Sequence, residues 1–421
     1  MSRITFMKWL PPLCLGLGSG YAGAAGFQLL EQNASGLGNA YAGSAAVAEN
    51  ASTIFYNPAG MTLLKGSEVS AGIVAVGASF KFSDRGSSVG LLAGAGNGGD
   101  AGGWGYLPNG YYSAAVNSDL YLGIGVGAPY GLKSEYASPW LGAAQSTRFD
   151  IKTYNLNPSL AYRLNDAVSV GVGLSWQRIL AEYLRQLAVN TPTNAASPLR
   201  LALDGNSWGW NVGALFHVSP TSRVGVSYRS AISYDVTGNI EVTGPSAPTN
   251  AALSGGAKAS LKLPDVFILS AIQQVSDKWH VLEDLSWTGW GTLPKLDVLR
   301  ASGALAQTLD TDFRDSWRLA LGATYQYDPA IKLKFGLAYD QTPVKGEATR
   351  LVSLPDNDRT WFSFGTQWVP SKGSTVDLGI SYLLVPDAAI DNNQSAQGRG
   401  RVVGSYSNNA WILGAQYSHA F

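Results

Sequence analysis

The sequence predicts an all-β protein, a 14-stranded antiparallel transmembrane β-barrel with an N-terminal helical plug in its lumen. Three observations carry this prediction. Long runs alternate apolar and polar residues with a period of two. Past the first residues, no stretch holds the roughly 20 consecutive apolar residues that a membrane helix needs. Short turn sequences also alternate with long polar or glycine-rich stretches, the pattern of an up-and-down barrel with long outer loops.

Composition narrows the class. The chain has 421 residues, of which only 14% are charged. Lys+Arg 29 balance Asp+Glu 29, so no electrostatic case exists for nucleic acid. The 13 Trp and 20 Tyr suit a chain that meets a membrane interface. A mean hydropathy of +0.02 is high for a chain without a membrane helix. In lipid the other way to satisfy every backbone group is a closed barrel.

Residues 1–24 read as a secretory signal peptide. Arg3 and Lys8 supply the positive region, and Trp9 to Gly20 is apolar but short and broken by Pro11 and Pro12. Ala22, Gly23 and Ala24 offer small cleavage residues, so the mature chain is expected to begin at Ala25. Cys14, the one cysteine, falls inside this segment, leaving no disulfide or thiolate metal site beyond it.

Residues 25–66 form the expected plug. The segment lacks sustained alternation, and Asn57 and Pro58 read as an N-cap followed by the first helical position. Leu29, Leu37, Tyr41, Ile54, Phe55 and Met61 make it too apolar for an exposed tail.

Residues 67–421 form the expected barrel. Val168, Val170, Val172, Leu174 and Trp176 share one face of a run; Ile331, Leu333, Phe335, Leu337 and Tyr339 share one face of another. A soluble sandwich also alternates. Runs of ten or more residues with aromatics at their ends favour the barrel. Asn117-Ser118-Asp119, Asn165-Asp166, Ser219-Pro220, Ser276-Asp277, Asp328-Pro329 and Pro370-Ser371 read as tight turns. Ser83 to Gly103, Gln186 to Asn206, Gly244 to Lys258 and Ala388 to Asn408 read as long loops. The last run ends at Phe421 and resembles the terminal signal read by the barrel assembly machinery.

Several stretches resemble one family. Ala25-Gly26-Phe27-Gln28-Leu29, Ser35 to Gly43, Asn57-Pro58-Ala59, Asn155 to Leu164 and Leu354 to Trp361 are similar, in order, to the FadL family of outer-membrane long-chain fatty acid and hydrocarbon transporters. The resemblance implies a Gram-negative outer-membrane channel, monomeric and without cofactor or catalytic residues, surrounded by outer-membrane lipid and lipopolysaccharide. It implies passive uptake of long-chain fatty acids or related hydrophobic small molecules. The steps would be ligand binding, rearrangement of a hatch carrying Asn57, Pro58 and Ala59, and lateral release at a kink in the third strand.

The kink of the family falls on Ala128, Pro129, Tyr130 and Gly131. Pro129 has no amide hydrogen, so it cannot complete a ladder bond; Gly127 and Gly131 permit unusual backbone angles beside it. By the same resemblance Phe27 is a ligand-contacting aromatic and Arg185 a basic residue for the ligand head group. Arg185 also reads as a rim arginine that pairs with a loop or with lipopolysaccharide. The family's fatty acid transporters place a second basic group just before the tenth strand, but Ala301 to Asp312 holds no Lys or Arg. Neutral aromatic or alkane substrates are therefore an alternative to fatty acids.

Other chemistry is faint. His217, His280 and His419 are scattered, and spacing pairs none of them with a serine, which disfavours a lipid-modifying barrel enzyme. Asp310, Asp312, Asp356 and Asp358 are acidic pairs that suggest either loop calcium or salt bridges with Arg314 and Arg359.

Overall fold

The structure, a computed structural model, describes residues 26–421. The expected signal peptide and Ala25 lie outside the described residues. No described helix is long and apolar enough to cross a membrane.

Fourteen antiparallel strands close into one cylinder. The first two are Glu68–Asp84 and Gly103–Ala115; the third has two segments, Leu120–Gly127 and Gly131–Glu135. The fourth to sixth are Arg148–Arg163, Val168–Gln186 and Pro198–Ser219. The seventh (Ser222–Arg229, Ile232–Val242), eighth (Gly255–Leu263, Val266–Gln274), ninth (Trp279–Thr288, Lys295–Arg300) and tenth (Leu305–Asp310, Ser316–Asp328) are also interrupted. The eleventh to fourteenth are Ile331–Asp340, Arg359–Ser371, Ser374–Asn393 and Arg401–Ala420. The fourteenth pairs with the first from Glu68↔Ala420 to Asp84↔Gly404, so the sheet closes on itself.

All six expected tight turns join consecutive strands at one end of the barrel. Two of the four expected long loops are shorter than read. The sixth strand starts at Pro198 and pairs with Gln186, and the thirteenth runs on to Asn393 against Arg401. These extensions stand above the apolar belt: their outward residues, such as Arg200, Asp204, Asp391 and Arg401, are polar, while Leu199, Leu201, Leu203 and Ile390 are buried inside.

The outer surface shows why the barrel sits in lipid. On the tenth strand Trp317 is 49% exposed and Tyr327 60%, with exposed Leu319 and Leu321 between them. Ten residues at about 3.3 Å each, tilted about 40°, span roughly 25 Å, the height of an apolar outer-membrane band. Trp208, Trp210, Tyr339 and Trp411 are exposed aromatics on other strands, suited to the girdle.

Residues 26–64 lie inside the cylinder. They hold three short helical turns, Leu37–Asn39, Thr53–Tyr56 and Pro58–Leu63. Close approach is possible because glycines on several strands face the segment. A Cβ at Gly213 would fall 2.0 Å from Asn57 Oδ1, and one at Gly225 2.0 Å from the Ala45 carbonyl oxygen. Across the barrel Gly336 meets Asn39 and Gly379 meets Leu37 in the same way.

Polar anchors complete the fit. Lys334 is buried and donates to Ser35 O at 2.9 Å, Glu49 Oε2 at 2.6 Å and Asp377 Oδ1 at 3.1 Å. Asn57 Nδ2 donates to Ala45 O and to the wall carbonyl of Ala214, while its Oδ1 caps Ala59 N at 3.0 Å. Asn57 is thus both the N-cap and a bolt between this segment and the sixth strand.

Candidate functional site

The ladder between the second and third strands stops part-way up the wall. The second and third strands pair from Ala115↔Tyr121 to Gly110↔Val126 and no further. Beyond that, Gly103 to Asn109 pair only with the first strand, and Gly131 to Glu135 only with the fourth. The third strand pairs Gly127 with Asn155 but Gly131 with Lys152, so it carries one extra residue between them. That is a β-bulge, and it bends the strand inward at Ala128, Pro129 and Tyr130.

Backbone groups at the bend are satisfied from inside. Leu29 N donates to Pro129 O at 2.8 Å and Gly131 N donates to Phe27 O at 2.9 Å. Gln32 Oε1 accepts from Ala128 N at 3.0 Å, and its Nε2 donates to Ala128 O at 2.8 Å. Thr153 Oγ1 accepts from Tyr130 N at 2.9 Å and donates to Tyr130 O at 2.7 Å. Each unpaired group at membrane depth would otherwise cost several kcal/mol. The first residues of the inner segment therefore act as a short extra strand against the bend.

A cavity of about 460 Å³ lies at this gap. Leu29, Leu107, Pro108, Val126, Ala128 and Trp176 are among its lining residues, and its surface is mainly apolar. Tyr130 also reaches across the lumen, donating its hydroxyl to Pro264 O at 2.9 Å.

Phe27 does not line this cavity. It is buried between Tyr130 and Trp290, with ring centroids 6.1 and 4.7 Å away. Arg185 is elsewhere again, lining an outer cavity of about 540 Å³ with Arg399, Gln307 and Thr349. So the structure brings Phe27 to the bend and leaves Arg185 above it, near the loops. Asn57, Pro58 and Ala59 touch neither cavity; they anchor the inner segment.

The outer cavity is lined by two buried cations, Arg185 and Arg399, and one exposed carboxylate, Asp310. Arg185 and Arg399 are 5% and 6% exposed. Arg185 Nε donates to Gln307 Oε1 at 2.9 Å, and its Nη1 donates to the carbonyls of Gln186 and Leu187. Arg399 Nη1 donates to Gln394 Oε1 at 3.2 Å, while its Nε has no partner. Among the described residues no carboxylate lies within ion-pair distance of either guanidinium. Burial holds Arg399 below the ordinary arginine value. Arg399 escaped sequence reading because it sits in a loop before the last strand, 214 residues from Arg185 in the chain.

Two faint sequence features resolve. Asp356 and Asp358 are committed to local bonds: Asp356 accepts from Gly26 N, Thr342 Oγ1 and Arg359, and Asp358 from Tyr339 and Thr342 N. Asp312 pairs with Lys345 at 2.6 Å, and among the described residues no three His, Cys, Asp or Glu side chains gather for a metal. His419 does meet a serine, contrary to the spacing argument: Ser374 Oγ lies 2.9 Å from its Nδ1. The register of the last two strands places them side by side at the turn end. Among the described residues no carboxylate is hydrogen-bonded to that histidine, so the pair lacks the orienting member of a triad.

A closed barrel with a filled lumen and a hole in its wall defines a class: an outer-membrane transport channel rather than an open pore. Within that class, the chain belongs to the outer membrane protein transport protein family (OMPP1/FadL/TodX), whose model matches residues 15–421. It is 31% identical to the "Long-chain fatty acid transport protein" of Escherichia coli (strain K12), over 100% of both chains. It is 32% identical to "Outer membrane protein P1" of Haemophilus influenzae (strain ATCC 51907 / DSM 11121 / KW20 / Rd), over 87% of both chains. Among solved structures, a Pseudomonas aeruginosa FadL homologue superposes with a TM-score of 0.87 at 23% identity, covering 94% of this chain and 99% of that one. The P. putida toluene transporter TodX gives 0.70 at 16% identity, covering 92% and 98%. Both structural likenesses bear on the fold.

Proposed function

We propose that this protein is a channel for passive uptake of hydrophobic molecules, long-chain fatty acids first among them. The observation that carries the reading is the apolar cavity of about 460 Å³ at the interrupted wall, with Leu29 of the inner segment on its rim. A hydrophobic molecule binds in the outer cavity and passes through the apolar interior. Residues 26–32 act as the hatch: their displacement clears the way to the gap, and the molecule leaves sideways into lipid. Transfer of an apolar chain from water to hydrocarbon is favourable by roughly 0.8 kcal/mol per CH₂, so no coupled energy source is required.

Arg185 and Arg399 support an anionic head group. Two buried guanidinium groups without a carboxylate partner are unfavourable until an anion joins them. The relative in E. coli is named for long-chain fatty acids. The name of TodX, a toluene transporter, favours the second reading, a neutral aromatic substrate.

Uptake of labelled oleate and of toluene by whole cells tests both readings. A tryptophan at Gly110 would cover the outer mouth of the gap, since a Cβ there meets only Val126 Cγ2 at 3.4 Å. Gly110→Trp should slow uptake of both compounds several-fold; unchanged uptake of both refutes lateral release. Arg185→Gln combined with Arg399→Gln should slow oleate and spare toluene. Equal effects on the two compounds would remove the head-group assignment.

A further inference from the structure

The gap is a window with two rims. Its lower rim is the pair Gly110↔Val126, and its upper rim is the bond from Glu135 N to Ala101 O at 2.9 Å. Two backbone bonds reveal which groups look into it. Val116 N donates to Leu120 O at 2.8 Å, in the register that runs from Ala115↔Tyr121 to Gly110↔Val126. Odd-numbered residues of the second strand therefore turn their amides to the first strand, and even-numbered residues turn theirs to the third. Arg163 N donates to Asp119 O at 2.8 Å, in register with Leu120↔Tyr162. In the lower segment of the third strand, odd-numbered residues thus face the fourth strand and even-numbered residues face the second.

Carried one step further, the register of the second and third strands sets Asn109 against Gly127 and Pro108 against Ala128. Both members of the latter pair are even-numbered, so this is the next hydrogen-bonded position of the ladder. Pro108 has no amide to give Ala128 O, so this position loses one of its two ladder bonds. Pro129 is odd-numbered, and the amide it lacks would have faced the fourth strand. The two prolines disable different ladders. Pro129 produces the bulge against the fourth strand, and Pro108 denies the third strand its partner on the second.

Gln32 then occupies the orphaned position. Its side chain takes both Ala128 N and Ala128 O, as described above, while its own carbonyl accepts from the Tyr111 hydroxyl of the second strand at 2.7 Å. One residue ties both edges of the window at its lower corner.

We propose that Pro108, facing Ala128 across the gap, is the second determinant of the lateral window, and that Gln32 is the positioning residue that holds the window by taking both Ala128 groups, including the carbonyl that Pro108 has no amide to serve. The relevance of the window to transport rests on the uptake route proposed above; its construction does not.

Backbone amide exchange in the detergent-solubilised full chain tests this, with Pro108→Val, Pro129→Val and the double variant. Pro129→Val alone should leave exchange of residues 103–110 at the wild-type rate. The double variant should slow exchange of Trp104 and Tyr106, whose even-numbered amides face the gap, at least tenfold. If Pro129→Val alone protects the second strand as strongly as the double variant, Pro108 has no part in the window. Gln32→Leu, with both prolines kept, should speed exchange at Ala128 at least tenfold, and Gln32→Glu should restore much of that protection because a carboxylate still accepts from Ala128 N. An unchanged Ala128 rate in Gln32→Leu overturns the role of Gln32. Oleate uptake separates the two readings. A protected, closed window with wild-type uptake would sink lateral release and leave the assignment of Pro108 standing.

Discussion

Glu31 lies in the inner segment with its side chain fully buried, and neither carboxylate oxygen has a donor from another residue. Burial pushes its carboxyl well above the usual range, to about 7, and the charges of Arg359 and Arg318 offset only part of that. The sign follows directly. A raised value in the folded state means that the docked segment is favoured while Glu31 is protonated, below the ordinary carboxylate range. That advantage is lost as pH rises through about 7 and the unpartnered carboxylate charges. The full effect is roughly 3 kcal/mol. Amide protection of residues 26–40 should therefore fall between pH 5 and pH 9, and Glu31→Gln should flatten the profile at its acid-side level. A wild-type profile that is already flat would show that the carboxylate has another partner.

At the scale of elements, a proline inside a strand leaves a carbonyl on the neighbouring strand for another group to serve. Pro158 of the fourth strand stands opposite Leu174, and Asn157 Nδ2 donates to Leu174 O at 2.7 Å, so that wall stays shut. At Pro108 the replacement, Gln32 Nε2 on Ala128 O, comes from the inner segment instead, and the wall opens. The same segment depends on missing side chains elsewhere. Gly225→Val would put a Cβ on the Ala45 carbonyl, a backbone atom that cannot swing aside. This variant should assemble as a barrel but show measurably higher ion conductance in planar bilayers. Wild-type conductance would mean that the segment repacks without loss of the seal.

For the whole molecule, the ladder from first strand to fourteenth closes without help from the inner segment. Removing residues 33–64 should therefore leave a folded, heat-modifiable barrel that conducts like an open porin. It would leave Asp377 beside Lys334 but remove Glu49, the other carboxylate on that lysine. Loss of the folded barrel in this deletion would show that the segment is part of the fold rather than a stopper placed in it.

Much of this was legible along the chain because the signal is local. Alternation with a period of two, six tight turns and a terminal aromatic strand belong to neighbouring residues, and they determine the barrel and its 14 strands. Pro129 was legible as a defect because an amide is missing whatever surrounds it. The tertiary structure alone decided the rest. Pro108 acquires its meaning only from the register that sets it against Ala128, and Gln32 only from a segment folded back into the lumen. Arg399 joins Arg185 through loops far apart in sequence. Each of these depends on contacts between distant parts of the chain. Periodicity reports which face a residue occupies and carries no information about what stands opposite it.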